Sequence, residues 1–220
     1  MVAPLAPAVN RPEMWRAGRP VTAAAPQPGN LLFNRLHEPI SLPLTARTRP
    51  VREDGPSVTT TATAIEFTVN GRPATVSVDE ETPLLDVLRN SLDLKGSRFG
   101  CGLEQCGCCM VLIDGALEKA CAKPMWSVAG KAVTTVEGLG TPEAPHPLQQ
   151  AFLDEQAGQC GYCLSGILVA AKALLDRNPS PTRREIAEAL DQNICRCGAH
   201  QRMVRAVEKA AAVLRGETAR

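Results

Sequence analysis

No run of eighteen or more apolar residues occurs in this 220-residue chain, so no helical membrane span is expected. Aromatic residues make up only 3 %, which leaves few rings for stacking on bases. The 24 Lys+Arg against 23 Asp+Glu leave a formal charge of +1, so attraction to nucleic acid or to an anionic membrane by charge alone is not expected either. G-x-G-x-x-G, the P-loop, G-x-S-x-G and H-E-x-x-H are all missing. Nothing signals a nucleotide site or an activated nucleophile, and no catalytic residue is expected on the chain.

Residues 1 to about 60 lack Cys and Lys but hold ten of the eighteen Pro, without apolar periodicity. This reads as an extension without its own core. No paired Arg precedes an apolar stretch, and residues 31–33 are too short for the apolar region of a signal peptide, so an export signal is not expected. The spread of Arg11, Arg16, Arg19, Arg35, Arg47, Arg49 and Arg52 fits a solvated tail or an arm around a partner subunit. A cytoplasmic chain is expected, with a periplasmic or membrane-associated complex as the alternative.

From Ile65 the pattern tightens. Ile65 to Val69 and Ala74 to Val78 alternate with period two around Asn70-Gly71, the signature of a β-hairpin. Thr82-Pro83 reads as an N-cap and first helical residue ahead of Leu84, Leu85, Val87 and Leu88. A Gly- and Cys-rich loop follows over residues 96–109. Met110 to Ile113 with Asp114-Gly115, and later Ala132 to Val136, read as further strands. A small mixed sheet with one helix is therefore expected for residues 62–138. Beyond turn formers at 138–147 the period becomes helical over 148–157, 165–175, 182–190 and 203–214, and Thr182 with Glu185 forms a capping box. This is a compact all-α unit over 146–215.

Nine Cys, an odd number without a secretory signal, point to metal or redox chemistry rather than a disulfide framework. Cys101, Cys106, Cys109 and Cys121 follow the plant-type spacing C-x4-C-x2-C…C of a 2Fe-2S site. Gly100, Gly102 and Gly107 would give that loop positive φ angles and close backbone approach, so that amides can face the sulfurs. The second set, Cys160-x2-Cys163 and Cys195-x-Cys197, admits either iron–sulfur or tetrahedral zinc, with the C-x-C pair and helical flanks favouring the former. Cys108 is left over and reads as a small buried residue. His146 sits in a Pro-rich turn and reads as structural; Trp126 and Tyr162 read as packed rings.

The order of the C-x4-C-G-x-C loop, Val136-Glu137-Gly138-Leu139, His146-Pro147-Leu148-Gln149, Gln159-Cys160-Gly161-Tyr162-Cys163 and Asn193-Ile194-Cys195-Arg196-Cys197 resembles the small iron–sulfur subunit of the molybdenum hydroxylases, the xanthine dehydrogenase and aldehyde oxidoreductase family. The likeness spans about residues 62–212. Leu164-Ser165-Gly166, Cys197-Gly198-Ala199-His200 and Arg98 to Leu103 are similar to the nicotinate dehydrogenase and isoquinoline oxidoreductase small subunits. The resemblance implies an α+β fold: an N-terminal plant-type 2Fe-2S ferredoxin-like (β-grasp) domain, then an all-α four-helix 2Fe-2S domain. It implies two 2Fe-2S clusters, an outer one on Cys101, Cys106, Cys109 and Cys121 and an inner one on Cys160, Cys163, Cys195 and Cys197, with Gln159 and Cys163 within reach of a pterin. The partners it implies are a large molybdopterin-binding subunit, together with an electron acceptor that is either a flavoprotein holding FAD or a cytochrome holding haem c. The substrate would be an N-heterocycle. An aldehyde substrate, a free-standing two-cluster ferredoxin and a zinc-binding structural module are the competing readings.

Overall fold

The computed structural model describes residues 62–217, so the extension expected over 1–61 lies outside the described residues. Five strands form one sheet in the order β2-β1-β5-β3-β4: β1 Thr63–Val69, β2 Arg72–Val78, β3 Met110–Ile113, β4 Ala116–Lys119 and β5 Ala132–Thr134. β1 and β2 pair antiparallel with Val69 opposite Arg72, while β1 and β5 run parallel. Both hairpins are closed by two residues at positive φ, Asn70 and Gly71 (52° and 74°) and Asp114 and Gly115 (50° and 80°). Such turns match the twist of the strands they join. β4 is not among the expected strands, because Ala116 to Lys119 alternates weakly.

The helix after the hairpin is present but differs from expectation at its start. α1, Leu84–Asp86, runs into a π-helical turn, Val87–Ser91, and its N-cap is Pro83 with no side-chain cap. Thr82 cannot serve as the cap because its carbonyl accepts from Met125 N–H (3.0 Å) and the neighbouring Pro83 bridges Pro124, which holds this stretch extended. Leu84, Leu85, Val87 and Leu88 are fully buried against Ile65, Phe67, Val111, Ile113 and Val133.

Four helices follow: α2 Pro147–Asp154, α3 Leu164–Arg177, α4 Arg183–Leu190 and α5 His200–Leu214. The capping box at α4 is present, with Thr182 N–H donating to Glu185 Oε2 (2.6 Å) and Glu185 N–H to Thr182 Oγ1 (3.3 Å). α5 begins three residues before the expected Met203. Leu148, Phe152, Ile167, Leu174, Ile186, Met203 and Val207 form this unit's core.

What joins sheet and helices is β3. All four of its residues are buried, and its alternation sorts them: Val111 and Ile113 enter the sheet's core, whereas Met110 and Leu112 pack on Val169, Ala170 and Ala173 of α3. A strand covered on both faces reads as an unbroken apolar run, as Met-Val-Leu-Ile does. α3 is likewise two-faced. Gly166, Val169, Ala170 and Ala173 at i, i+3, i+4 and i+7 form a stripe of mostly small residues that includes the β3-facing ones, while Ile167, Ala171 and Leu174 join the helical core.

His146 caps α2. Leu148 N–H donates to its Nδ1 (3.1 Å), while its own backbone N–H donates to Gln149 Oε1 (2.9 Å). Burial holds the imidazole below its ordinary range, with Lys172 adding to the effect and Asp176 opposing it. Because Nδ1 must keep its lone pair to accept, the cap exists only in the neutral form. A depressed folded pKa means that the stabilisation is complete above the ordinary histidine value of about 6.5 and is lost as pH falls through the folded value. The unfolding midpoint of the native chain should therefore fall relative to that of His146→Asn, which keeps an acceptor that does not titrate, on acidification below about pH 6.5. A difference independent of pH would show that the imidazole does not titrate with folding.

Candidate metal centre

The Cys101 loop is shaped by glycine and by sulfur. Gly102 and Gly107 have φ of 68° and 71°, as expected, but Gly100 does not; its role is space, since a Cβ there would lie 2.5 Å from Cys106 Sγ. Cys101 Sγ accepts from the backbone N–H groups of Leu103 (3.3 Å), Gln105 (3.2 Å) and Cys106 (3.4 Å). These three donors, Leu103 foremost, pull its thiol down to about 6, so it is a thiolate near neutrality. Cys101 N–H in turn donates to Cys106 Sγ (3.3 Å). Cys109 is buried and pushed up to about 12 by desolvation, with Cys121 as its thiol partner and Cys106 close enough to act on it.

The second set lies at helix starts. Cys163 is the N-cap of α3, and Cys195 and Cys197 precede α5. Cys160 and Cys197 bring their sulfurs to 3.5 Å, and Cys195 lies close enough to Cys163 to act on its thiol. Burial drives Cys163 up to about 12. Burial also works on Cys195, but the backbone N–H groups of Cys197, Ala199 and Gly198 outweigh it and leave that thiol lowered. Tyr162 N–H is the main cause that lowers Cys160.

Within the two sets, Cys160 and Cys197 bring their sulfurs to 3.5 Å, Cys101 N–H donates to Cys106 Sγ, and Cys121 and Cys195 lie close enough to Cys109 and Cys163 to act on their thiols; Cys106 also acts on the leftover Cys108. Among the described residues no three of His, Cys, Asp or Glu group so as to hold a single ion. A 2Fe-2S centre takes four thiolates over two irons, and four cysteines in each set, with backbone donors aimed at sulfur in both, fit that demand.

Cys108 is buried at 6 % exposure, as expected, and packs with the helical core rather than the sheet's. Gln159 is exposed, donates from Nε2 to the Cys197 carbonyl (3.0 Å), and lines an open cavity of about 560 Å³ with Leu153, Leu164 and Arg202. Cys163, expected to share its role, is buried and does not line that cavity. Trp126 and Tyr162, expected as packed rings, are 55 % and 46 % exposed. Tyr162 Oη donates to the Phe99 carbonyl (2.5 Å) and its ring lies under Arg98, 5.3 Å from the guanidinium carbon, so it ties the two sets together.

Two family descriptions match the chain: a 2Fe-2S iron-sulfur cluster binding domain over residues 67–129, and a 2Fe-2S binding domain over residues 135–208. The chain is 53 % identical over 149 residues to a nicotinate dehydrogenase subunit of Pseudomonas putida, covering 68 % of this chain and 95 % of that one. The chain belongs to the small iron–sulfur subunits of the molybdenum hydroxylases. The alpha subunit of isoquinoline 1-oxidoreductase from Brevundimonas diminuta, a second relative, is 49 % identical, with 67 % of this chain and 97 % of that one covered. Among solved structures, quinoline 2-oxidoreductase of Pseudomonas putida superposes with a TM-score of 0.67 at 36 % identity, over 72 % of this chain and 99 % of that chain. Aldehyde oxidoreductase of Desulfovibrio desulfuricans gives 0.69 at 44 % identity, over 70 % of this chain but only 17 % of that one. As an iron–sulfur subunit of a heteromeric oxidoreductase, the chain has the expected α+β fold of a β-grasp domain and a helical domain.

Cys spacing separates Cys108 from its neighbour Cys109. Cys108→Ala in the assembled protein should keep both sets of iron–sulfur EPR signals, because the C-x4-C-x2-C…C spacing is complete without it. Cys109→Ala should abolish the signal of the first set. Loss of that signal in Cys108→Ala would exchange the two assignments.

Proposed function

We propose that Cys101, Cys106, Cys109 and Cys121 hold one 2Fe-2S cluster, that Cys160, Cys163, Cys195 and Cys197 hold the other, and that the chain passes electrons singly from a molybdopterin-bearing large subunit to a cytochrome or FAD acceptor. The observation that carries this is that the two sets come together, with the sulfurs of Cys160 and Cys197 at 3.5 Å within one set and a hydrogen bond running directly between the sets: Ile194 N–H, next to Cys195, donates to the carbonyl of Cys106 (3.0 Å). Held by four thiolates, a 2Fe-2S centre takes up and gives up one electron, so two in one chain hold both electrons of a two-electron oxidation.

The protein's own part is to hold the sulfurs aligned and close and, at Cys101, Cys160 and Cys195, to favour the thiolate. The three N–H groups on Cys101 Sγ stabilise its negative charge, and hydrogen bonds to cluster sulfur are among the factors that set a centre's potential. Gln159 and the cavity beside it support a helical set on the side offered to the molybdopterin subunit, with Gln159 as the contact toward the pterin; Cys163, buried and outside that cavity, keeps only the ligand half of its expected role. Exposed Phe99, Leu103, Tyr162 and Ile194 stand around the two sets, and exposed Leu153 lines the cavity. Large apolar side chains exposed in one region favour a subunit over a free-standing ferredoxin. The names of the relatives, nicotinate dehydrogenase and isoquinoline 1-oxidoreductase, support an N-heterocycle as the substrate of the complex.

Analysis of the purified complex should find about four iron and about four labile sulfide per copy of the chain, two centres of two irons each. Half that iron, or stoichiometric zinc, would overturn the ligand assignment. The order of the sets is tested separately. In Cys160→Ala, substrate should still reduce molybdenum while no external acceptor is reduced; in Cys101→Ala, the helical set should remain reducible by substrate while the exit is blocked. Rapid-freeze EPR reads both, and coupling to Mo(V) that is lost with Cys101 but kept without Cys160 would reverse the order.

A further inference from the structure

Three successive carbonyls of the first cysteine loop are taken up by the helical unit. The Cys106 carbonyl accepts from Ile194 N–H (3.0 Å), the Gly107 carbonyl from Asn193 Nδ2 (3.2 Å), and the Cys108 carbonyl from Ser165 Oγ (3.4 Å). The donors stand one or two residues from Cys195 and Cys163. Two glycines make this approach possible. A Cβ on Gly166, in the first turn of α3, would lie 1.9 Å from the Gly107 carbonyl oxygen and 3.2 Å from Cys108 Cα, which are backbone atoms that cannot swing aside. A Cβ on Gly107, at φ 71°, would lie 2.5 Å from both Asn193 Nδ2 and the Gln192 carbonyl. The Gly107 peptide is therefore held between α3 on one side and residues 192–193 on the other.

Asn193 sits there at a cost. It is 5 % exposed, and its Oδ1 finds no donor among the described residues while Nδ2 serves Gly107 and also points at Met110 Sδ (3.4 Å). A buried amide oxygen without a partner disfavours the folded state. What Asn193 supplies in return is the bond to the loop between Cys106 and Cys109.

We propose that Gly166 and Asn193 are positioning residues for electron exchange between the two cysteine sets, fixing the gap and the bonded path between them by seating the Cys106–Cys108 backbone on the helical unit. The exchange itself moves one electron, which one set loses as the other gains it, with no bond or proton changing. Its rate falls steeply as the gap widens. This inference rests on the ligand assignment above, because it concerns how the two proposed centres are spaced rather than whether they exist.

The test uses the complete holo complex. Gly166→Ala forces α3 and the Gly107 peptide apart, and should retain both iron–sulfur EPR signals while weakening the splitting from spin–spin interaction between the two reduced centres and slowing their electron exchange several-fold. Asn193→Ser, which removes the Nδ2 donor and leaves both glycines in place, should weaken both in the same direction and decides the question should the alanine variant not assemble. Thr182→Ala, which removes the cap of α4 and lowers helix stability away from the seam, should leave splitting and exchange unchanged. Native splitting and exchange rates in Asn193→Ser, with both signals present, would overturn the inference while leaving the ligand assignment intact. Absence of the signals from the native complex itself would overturn both. A fall in splitting in Thr182→Ala equal to that in Asn193→Ser would also overturn it, by showing that the effect follows general loosening.

Discussion

Everything in the described part of this chain depends on one contact, the packing of β3 against α3. β3 begins at Met110, directly after Cys109, and α3 begins at Leu164, directly after Cys163. Pressing Met110 and Leu112 onto Val169, Ala170 and Ala173 therefore brings the last residues of two cysteine loops to the same end of the seam. Burying a side chain of this size is worth roughly 1.5–3 kcal/mol, so the contact is strong enough to be a fixed joint rather than a passing touch. The small residues at Gly166, Ala170 and Ala173 set how near the helix can lie, and the cysteine loops inherit that closeness.

The polar bonds at the cysteine end are of another kind. Each is modest on its own, about 0.5–1.5 kcal/mol net, and they add direction rather than bulk adhesion. Ile194, Asn193 and Ser165 reach consecutive carbonyls, and Tyr162 reaches a fourth at Phe99, so the loop that carries Cys101 and Cys106 is oriented by side chains and amides from the other half of the chain. Apolar packing determines that the halves meet; these bonds determine the angle at which the sulfurs meet.

Much of this is legible in the residues because the signals are local. The Asn70-Gly71 turn and the Thr182 and Glu185 box each depend on a few neighbours, and each stands as read. Thr82 fails as a cap because a distant partner, Met125, claims its carbonyl, which no local pattern discloses. Tyr162 and Trp126 read as packed rings on a general preference of aromatic residues, whereas their exposure is decided by which surface the fold leaves open. The approach of Cys160 to Cys197 spans more than thirty residues and follows from where α3 and α5 begin, so spacing could gather the four but not say which sulfurs approach. Asn193, Ser165 and Gly166 are visible in the sequence only as letters within motifs; their work is across the seam.

The buried outer face of β3 has one more consequence. A chain divided at the connection between β5 and α2 would leave Met110 and Leu112 on one product and the small-residue stripe of α3 on the other, each bare to water. The loop carbonyls of Cys106, Gly107 and Cys108 would lose donors that sit on the other piece. Two domains that a family comparison matches separately are, in physical terms, not interchangeable parts. Swapping either half with that of another member would succeed only where the small residues of one helix and the side chains of one strand have been inherited together, so descent has reason to keep this pair in a single gene.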